Sequence, residues 1–311
     1  MDLAAALRRR LGRERVREHA PLAPLTTLRV GGPADLLAEV RSADEALEVV
    51  RLARAASVKV AWLGGGSNLL VADRGVRGLV VRWHGGALSS PAPGRVRAEA
   101  GVTVNGLVRY TIGHALAGVA EWAGTPGTVG GAVHGNAHFR GRMISETIVS
   151  VRVASPDGTV VDLPEAEMEF GYDRSRLQRT GEVALAADFR VTAGDPAALR
   201  DEARRSLAFR KSTQPLALPS AGRVFQNPAA ASVRRPAGLP ASAGALVDAA
   251  GLKGAACGAA RVSPVHANFV VNEGGASARE VAALIDRMRE AVAERFGVTL
   301  EEEIVRVGEF G

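Results

Sequence analysis

The sequence predicts an α+β protein assembled from several parts, and three observations lead there. Residues 1–72 alternate strand, helix and strand, with a glycine-rich loop at a strand end. From Val76 to about Val191, short strands punctuated by Gly and Pro surround one helix. After a Pro-, Ala- and Ser-rich stretch, two helices then bracket an apolar strand. A chain of 311 residues accommodates about two domains and buries a sizeable core without disulfides.

Residues 1–20 read as a charged helix, interrupted by Pro21 and Pro24. Residues 26–32 read as a strand ending in a Gly turn. Ser42 opens a helix, with Glu45 completing a capping box and Leu47, Val50 and Leu52 on an apolar face through about Ala56. A strand over 58–63 runs into Gly64, Gly65, Gly66, Ser67 and Asn68, and residues 69–71 continue extended. Further strands are expected over 79–83, 96–100, 149–154, 160–163 and 183–191, with a helix over 104–117. A solvated helix over 196–208 leads to a loop over 215–240. Helices follow over 243–250 and 277–296. The second has the capping box Ser277/Glu280 and a face of Val281, Leu284, Ile285, Met288, Val292 and Phe296. Strands over 265–272 and 300–307 complete the set.

Composition narrows the function. With 47% hydrophobic and 23% charged residues the chain is neither disordered nor fibrous. Aromatics at 4% argue against a nucleic-acid surface built on stacked rings. The single cysteine, Cys257, excludes an intrachain disulfide and a Cys-rich zinc or iron–sulfur site, and its expected role is buried packing. No apolar run approaches a membrane span and no signal core follows Met1, so a cytoplasmic protein is expected. The net charge is +6, and all but three of the 39 basic residues are arginine. A biased or heat-adapted surface explains that charge, and so does attraction of nucleotides and phosphates; the scattered arginines speak against nucleic acid.

Glycines in the 64–68 loop let backbone N–H groups approach a phosphate, and Ser67 and Asn68 add donors. The loop has neither a P-loop Lys-Ser/Thr nor GxGxxG spacing, so a plain turn is an equal reading. A second run, Gly124, Thr125, Pro126, Gly127, Thr128, Val129, Gly130, Gly131 and Ala132, continues to Asn136 and demands a tight, fixed backbone. Two such cradles suit a dinucleotide pyrophosphate held in extended form. His134 and His138 are spaced i, i+4, but no further ligands accompany them, so no metal is expected.

These loops carry a resemblance. Residues 26–35, the two Gly-rich runs, Ser220-Ala221-Gly222-Arg223-Val224-Phe225-Gln226-Asn227-Pro228, residues 249–254 and 262–272, and Leu300-Glu301-Glu302-Glu303 stand in an order that resembles the UDP-N-acetylenolpyruvoylglucosamine reductase family over nearly the whole chain. The resemblance implies two FAD-binding lobes of the vanillyl-alcohol-oxidase type (1–75 and 76–205), a substrate-binding domain (206–297) and a C-terminal strand (298–311) bearing a catalytic glutamate. It implies FAD on the two Gly-rich loops and NADPH as reductant. The reaction would be reduction of UDP-N-acetylglucosamine enolpyruvate to UDP-N-acetylmuramate, for peptidoglycan, in a monomer that needs neither membrane nor nucleic acid. The short 172–214 segment resembles the subgroup without an extra tyrosine-bearing loop.

Residue by residue, Glu303 matches the family glutamate, expected to orient or polarise the enolpyruvyl carboxylate. Tyr172, Arg210, Gln214, Asn227 and His266 match substrate-lining positions, and Lys253 follows in family order or caps a helix. Three positions depart. The pattern Tyr-Arg-x-Ser becomes Tyr172-Asp173-Arg174-Ser175, so Arg174 is assigned as the displaced catalytic arginine. The serine of Ser-Ala-Gly-Ser becomes Arg223, and Gln226 stands where lysine is usual. Arginine stays protonated at neutral pH and is a poor acid. Arg223 is therefore expected to supply the cation beside the carboxylate, while water, Ser220 or Tyr172 supplies the proton. The rival readings are a relative with altered or lost catalysis and a regulatory or scaffolding role, or another oxidoreductase of the same flavin fold.

Overall fold

Asp2 accepts a hydrogen bond from Ala5 N and starts α1 (Leu3–Leu11), whose buried Leu3, Leu7 and Leu11 form one stripe. Gly12, at φ +99°, stops it. The helix expected over 1–20 therefore covers only its first half. Val16–Pro21 is instead a strand whose charged Arg17, Glu18 and His19 lie between buried Val16 and Ala20. Such a charged edge has no apolar alternation to announce it.

The structure is a computed structural model and describes residues 2–310. The chain packs into two units: residues up to 19 with 35–65 and 78–209, and residues 20–34 with 66–77 and 210 onward. Neither unit is one of the four consecutive segments expected from the sequence.

In the first unit a four-stranded sheet runs in the order Val16–Pro21, Pro33–Val40, Val76–Trp83, Val60–Leu63, the last two parallel. The helix α2 (Ala43–Ala55) buries Ala46, Val49 and Ala53 in the same core as Leu7, Val40, Leu79 and Val81. Leu47 and Leu52 lie at its margin. Ser42 caps α2 through Glu45 N at 3.2 Å, but Glu45 takes the N–H of Arg41, not of Ser42, and clasps Arg15. The expected box is thus half formed.

A five-stranded antiparallel sheet follows, in the order Val160–Pro164, Ile148–Ala154, Val183–Arg190, Arg95–Glu99, Leu88–Ala92. The helices α3 (Val104–Gly113), α4 (Val129–His134) and α5 (Leu177–Thr180) accompany it. Leu107, Trp122, Val133, Val151 and Phe189 share its core. α3 ends four residues short of the expected end, because Ala115 turns left-handed at φ +56°. α6 (Pro196–Thr213) runs five residues longer than expected.

The second unit has a four-stranded antiparallel sheet in the order Ser220–Arg223, Phe269–Asn272, Ala260–Val262, Ala256–Cys257. It carries α7 (Ala243–Ala249) and α8 (Ala278–Phe296). The Ser277/Glu280 box closes in both directions, at 3.2 and 2.9 Å. Leu246, Val270, Leu284, Ile285 and Met288 fill this core. Residues 26–32 are not a strand: with Arg29 at φ +56° and Gly31 at φ +132° they fold irregularly, and Leu28 and Val30 insert into the same core. Of the strand expected over 300–307 only Val305–Val307 forms, parallel to Leu69–Val71. Cys257 is half-buried rather than buried, and Lys253 pairs with Asp248 of α7 at 3.2 Å. Among the described residues no helix is long and apolar enough to cross a membrane.

Candidate active site

The two glycine runs meet in the first unit. A Cβ on Gly64 would stand 2.4 Å from Thr128 Oγ1, and one on Gly65 would stand 2.6 Å from Gly127 Cα. Gly64 thus lies on the Thr128 side chain, and Gly65 lies backbone to backbone on Gly127, an approach only glycine permits. Gly130 packs equally tightly on Ala100, while Gly131 is exposed and would meet nothing nearer than 3.7 Å. Gly124 and Gly127 turn at φ +80° and +96°. Asn105 on α3, which sequence reasoning missed, accepts from Gly124 N at 2.7 Å and donates to Thr125 O at 3.2 Å. A lone amide in an apolar helix was the available signal. Asn136, expected at the cofactor, is fully buried; its amide donates to Gly171 O and Met143 Sδ and its carbonyl accepts from Ser145 N. Its side chain braces the fold. The rest of the first run lies in the second unit, where Gly66 (φ +61°) packs on Leu25 O and Asn68 Nδ2 donates to Glu303 O at 2.9 Å.

The 171–174 segment is a tight turn, with Gly171 N bonded to Arg174 O (3.0 Å) and Arg174 N to Gly171 O (3.2 Å). Asp173 sits at φ +53° and turns its carboxylate inward onto His138, Oδ1 to Nδ1 at 2.9 Å. Arg174 is exposed and folds back over Gly171, where a Cβ would lie 3.2 Å from its Nη2. The turn thus points the Asp173 carboxylate inward and leaves Arg174, the assigned catalytic arginine, on its exposed side. Tyr172 is half-exposed against His138. His138 follows the end of α4, so it does not share a helix face with His134.

In the second unit Gly222, at φ +80°, lies in a register shift of the Ser220–Arg223 strand, and Arg223 pairs with Phe269. Asn268, also missed, is buried; its Oδ1 accepts Phe225 N and its Nδ2 donates to Phe225 O, at 2.9 and 2.8 Å. Gln226 N donates to Glu301 O and Glu303 N to Val224 O. Three consecutive glutamates are thereby sorted. Glu301 is exposed, Glu302 is clasped by Arg289 and Arg306, and Glu303 stands on an extended segment rather than in a strand, one of its oxygens buried. Arg210, in the last turn of α6, is buried, and burial together with Arg223 lowers its pKa to about 10. His266 lies in a turn before the strand Phe269–Asn272, not in it. Burial, then Arg223, lowers its pKa, and its Nδ1 accepts Asn268 N at 3.2 Å. Arg210 and His266 thus both feel the positive charge of Arg223. Asn227 accepts Ala243 N at 3.0 Å and holds the start of α7; Gln214 follows the end of α6.

Residues 34–164 match the model of an FAD binding domain, and residues 214–307 that of the UDP-N-acetylenolpyruvoylglucosamine reductase C-terminal domain. The UDP-N-acetylenolpyruvoylglucosamine reductase of Synechococcus sp. (strain WH7803) is 42% identical over 301 residues, covering 94% of this chain and 93% of that one. This chain belongs to the UDP-N-acetylenolpyruvoylglucosamine reductase family. The reductase of Bacillus subtilis (strain 168) is 37% identical over 297 residues, with 94% of both chains covered. The crystal structure of the Thermus caldophilus reductase superposes with a TM-score of 0.77 at 31% identity, covering 94% of this chain and 99% of that one. The α+β architecture, with an FAD binding domain followed by the reductase C-terminal domain, is that of the family.

Proposed function

We propose that this chain reduces UDP-N-acetylglucosamine enolpyruvate to UDP-N-acetylmuramate with FAD and NADPH, a cytoplasmic step in the supply of peptidoglycan precursor and hence in cell shape and division. The observation that carries the reading is the seat of Gly64 and Gly65 on Gly127 and Thr128, which makes one cradle from two glycine runs. A cradle of that kind fits a dinucleotide pyrophosphate, with Gly64, Gly65 and residues 124–132 holding it. These residues would hold FAD, which would supply two-electron transfer from NADPH to the substrate.

The chain's own residues address the charge that results. When hydride reaches the β carbon of the enolpyruvyl group, negative charge develops on the α carbon and spreads into the carboxylate. Arg223, with Arg210 nearby, stabilises it. Glu303, its backbone fixed to Val224 and Asn68, orients the enolpyruvyl group. The resemblance to the family assigns Gln214, Asn227 and His266 of the second unit to the nucleotide sugar.

An anaerobic spectrum in two steps tests this. NADPH bleaches the flavin band, and UDP-N-acetylglucosamine enolpyruvate then restores it with UDP-N-acetylmuramate formed. Bleaching without return would favour a relative with altered catalysis. No flavin band, even after FAD is added, would overturn the reading.

A further inference from the structure

We infer that Arg289, Arg306 and Asp286, by clasping Glu302, are positioning residues that set the angle at which the adjacent Glu303 meets the substrate. The role of Glu303 itself rests on the reductase reading above. All these residues lie in the second unit.

Glu302 is the middle one of three consecutive glutamates and stands opposite Phe225 in an antiparallel bridge. Gln226 N donates to Glu301 O at 2.9 Å on one side of the bridge, and Glu303 N donates to Val224 O at 2.8 Å on the other. Phe225 and Glu302 are therefore a non-hydrogen-bonded pair, whose side chains stand close together on one face. Glu301 and Glu303 turn to the opposite face. Leu300 and Ile304, two places to either side of Glu302, are buried in the core of this unit. A carboxylate thus interrupts an apolar stripe, at a place where an aliphatic side chain would need no partner.

The partners it has are directional. Arg306 grips Glu302 as a fork, Nε on Oε2 at 2.9 Å and Nη2 on Oε1 at 2.7 Å. Arg289 Nη2 donates to the same Oε1, and its guanidinium lies 5.8 Å over the Phe225 ring. Asp286, one turn before Arg289 on α8, accepts from both arginines, at 2.8 and 3.0 Å. The Glu302 side chain is left 17% exposed. Ion pairs so shielded are weak evidence for stability, since lost hydration offsets their attraction. What they add is geometry. Burial of Leu300 and Ile304 selects a face without fixing an angle, whereas a two-pronged arginine fork fixes both.

The peptide that follows Glu302 carries the N–H of Glu303 to Val224 O, and Asn68 Nδ2 holds Glu303 O at 2.9 Å. Val224 O also takes Ile304 N at 3.3 Å, so the ladder ends there. A pairing this short has little stiffness of its own, and the clasp on Glu302 supplies it. Because Val224 follows Arg223, the same bond ties the Glu303 backbone to the segment bearing that cation. Glu302 and its partners touch neither substrate nor cofactor in this scheme; they act through Glu303.

The test uses the flavin-loaded protein and separates the two half-reactions. Glu302→Gln removes the charge and keeps the shape, and it should bleach with NADPH at the wild-type rate. Reoxidation by saturating UDP-N-acetylglucosamine enolpyruvate should slow about 10–10²-fold, the scale of misplacing a reacting group by up to about 1 Å, with little change in KM. Arg306→Met, which leaves Arg289 on Glu302, should show the same pattern more weakly. In a Glu303→Gln background, Glu302→Gln should slow reoxidation no further, because the two act as one. In the protein without flavin, amide hydrogen exchange at Glu303 should speed up in Glu302→Gln while the α8 amides stay as in wild type. Wild-type reoxidation in both Glu302→Gln and Arg306→Met overturns the inference. Full additivity with Glu303→Gln overturns it too, and so does faster exchange throughout the second unit, which would mark a merely structural clasp. If the wild type itself does not reoxidise, the reductase reading fails instead.

Discussion

The glycine cradle and the Arg223 segment are ordered by opposite means. In the cradle, backbone lies on backbone, and a single added carbon on Gly64 or Gly65 collides. Around Arg223, neighbours hold the backbone: Val224 N bonds Asn268 O, Gln226 N bonds Glu301 O, and the Asn268 amide spans Phe225. None of those bonds uses the side chain at 223 or 226. In the first, a change of side chain at the glycine moves the backbone; in the second, the backbone is held whatever side chain stands at 223 or 226.

The largest expected effect tests the second half of that contrast. Arg223→Ala removes the cation beside the developing charge and leaves the strand pairing in place. Reoxidation by substrate should slow about 10²–10³-fold, the scale of losing one such electrostatic group. Bleaching by NADPH and the melting temperature should stay near wild type. An unchanged reoxidation rate would remove Arg223 from the chemistry.

Gly65→Ala tests the first half. Its Cβ must displace the Gly127 backbone. Overpacking of this kind costs about 1–3 kcal/mol, and the purified protein should retain less flavin. Full flavin occupancy with an unshifted melt would show that the two runs are free to separate.

Asn268→Ala strips Phe225 of both its side-chain partners. A buried N–H and C=O left unbonded cost about 1–3 kcal/mol, read as a lower urea midpoint. Because the same bonds set Arg223 and Glu303, the substrate KM should rise as well.

Legibility in the sequence follows the same division. α2 and α8 were readable because Ser42 and Ser277 cap them and their apolar faces recur at helical spacing. The cradle was readable because only close approach explains so many glycines. The edges Val16–Pro21 and Leu88–Ala92 were not, since charge in one and Ser and Pro in the other hide the alternation. The segment 26–32 looked like a strand because its apolar residues are buried, yet Arg29 and Gly31 bend it out of any ladder. Glu303 and Arg223 entered the candidate site by pattern alone. The His138–Asp173 pair did not, because it joins residues distant in sequence and depends on the left-handed turn at Asp173. Asn268 was hidden inside an apolar run that read as continuous strand.

The smallest effect lies in the five-stranded sheet and shows what an ordinary side-chain contact contributes. Asp188 stands between Arg97 and Ser150 on adjacent strands, taking Arg97 Nε and Nη2 at 2.7 and 2.8 Å and Ser150 Oγ at 3.1 Å. Burial alone would raise its pKa, but the hydrogen bonds and charge of Arg97, with Ser150 and Arg95 adding to them, bring it below the usual carboxylate range. A carboxyl group with a lowered folded-state pKa stabilises the fold above its unfolded-state value. That contribution fades as pH falls through the folded-state value. Asp188→Asn should therefore cost about 1 kcal/mol at pH 7. The gap to wild type should narrow as the pH is taken below about 4, where the unfolded carboxylate begins to protonate. Chemical denaturation at pH 7 and near pH 3 checks this. A gap that is constant with pH would mean that packing of the amide, rather than the charge on Asp188, sets the difference.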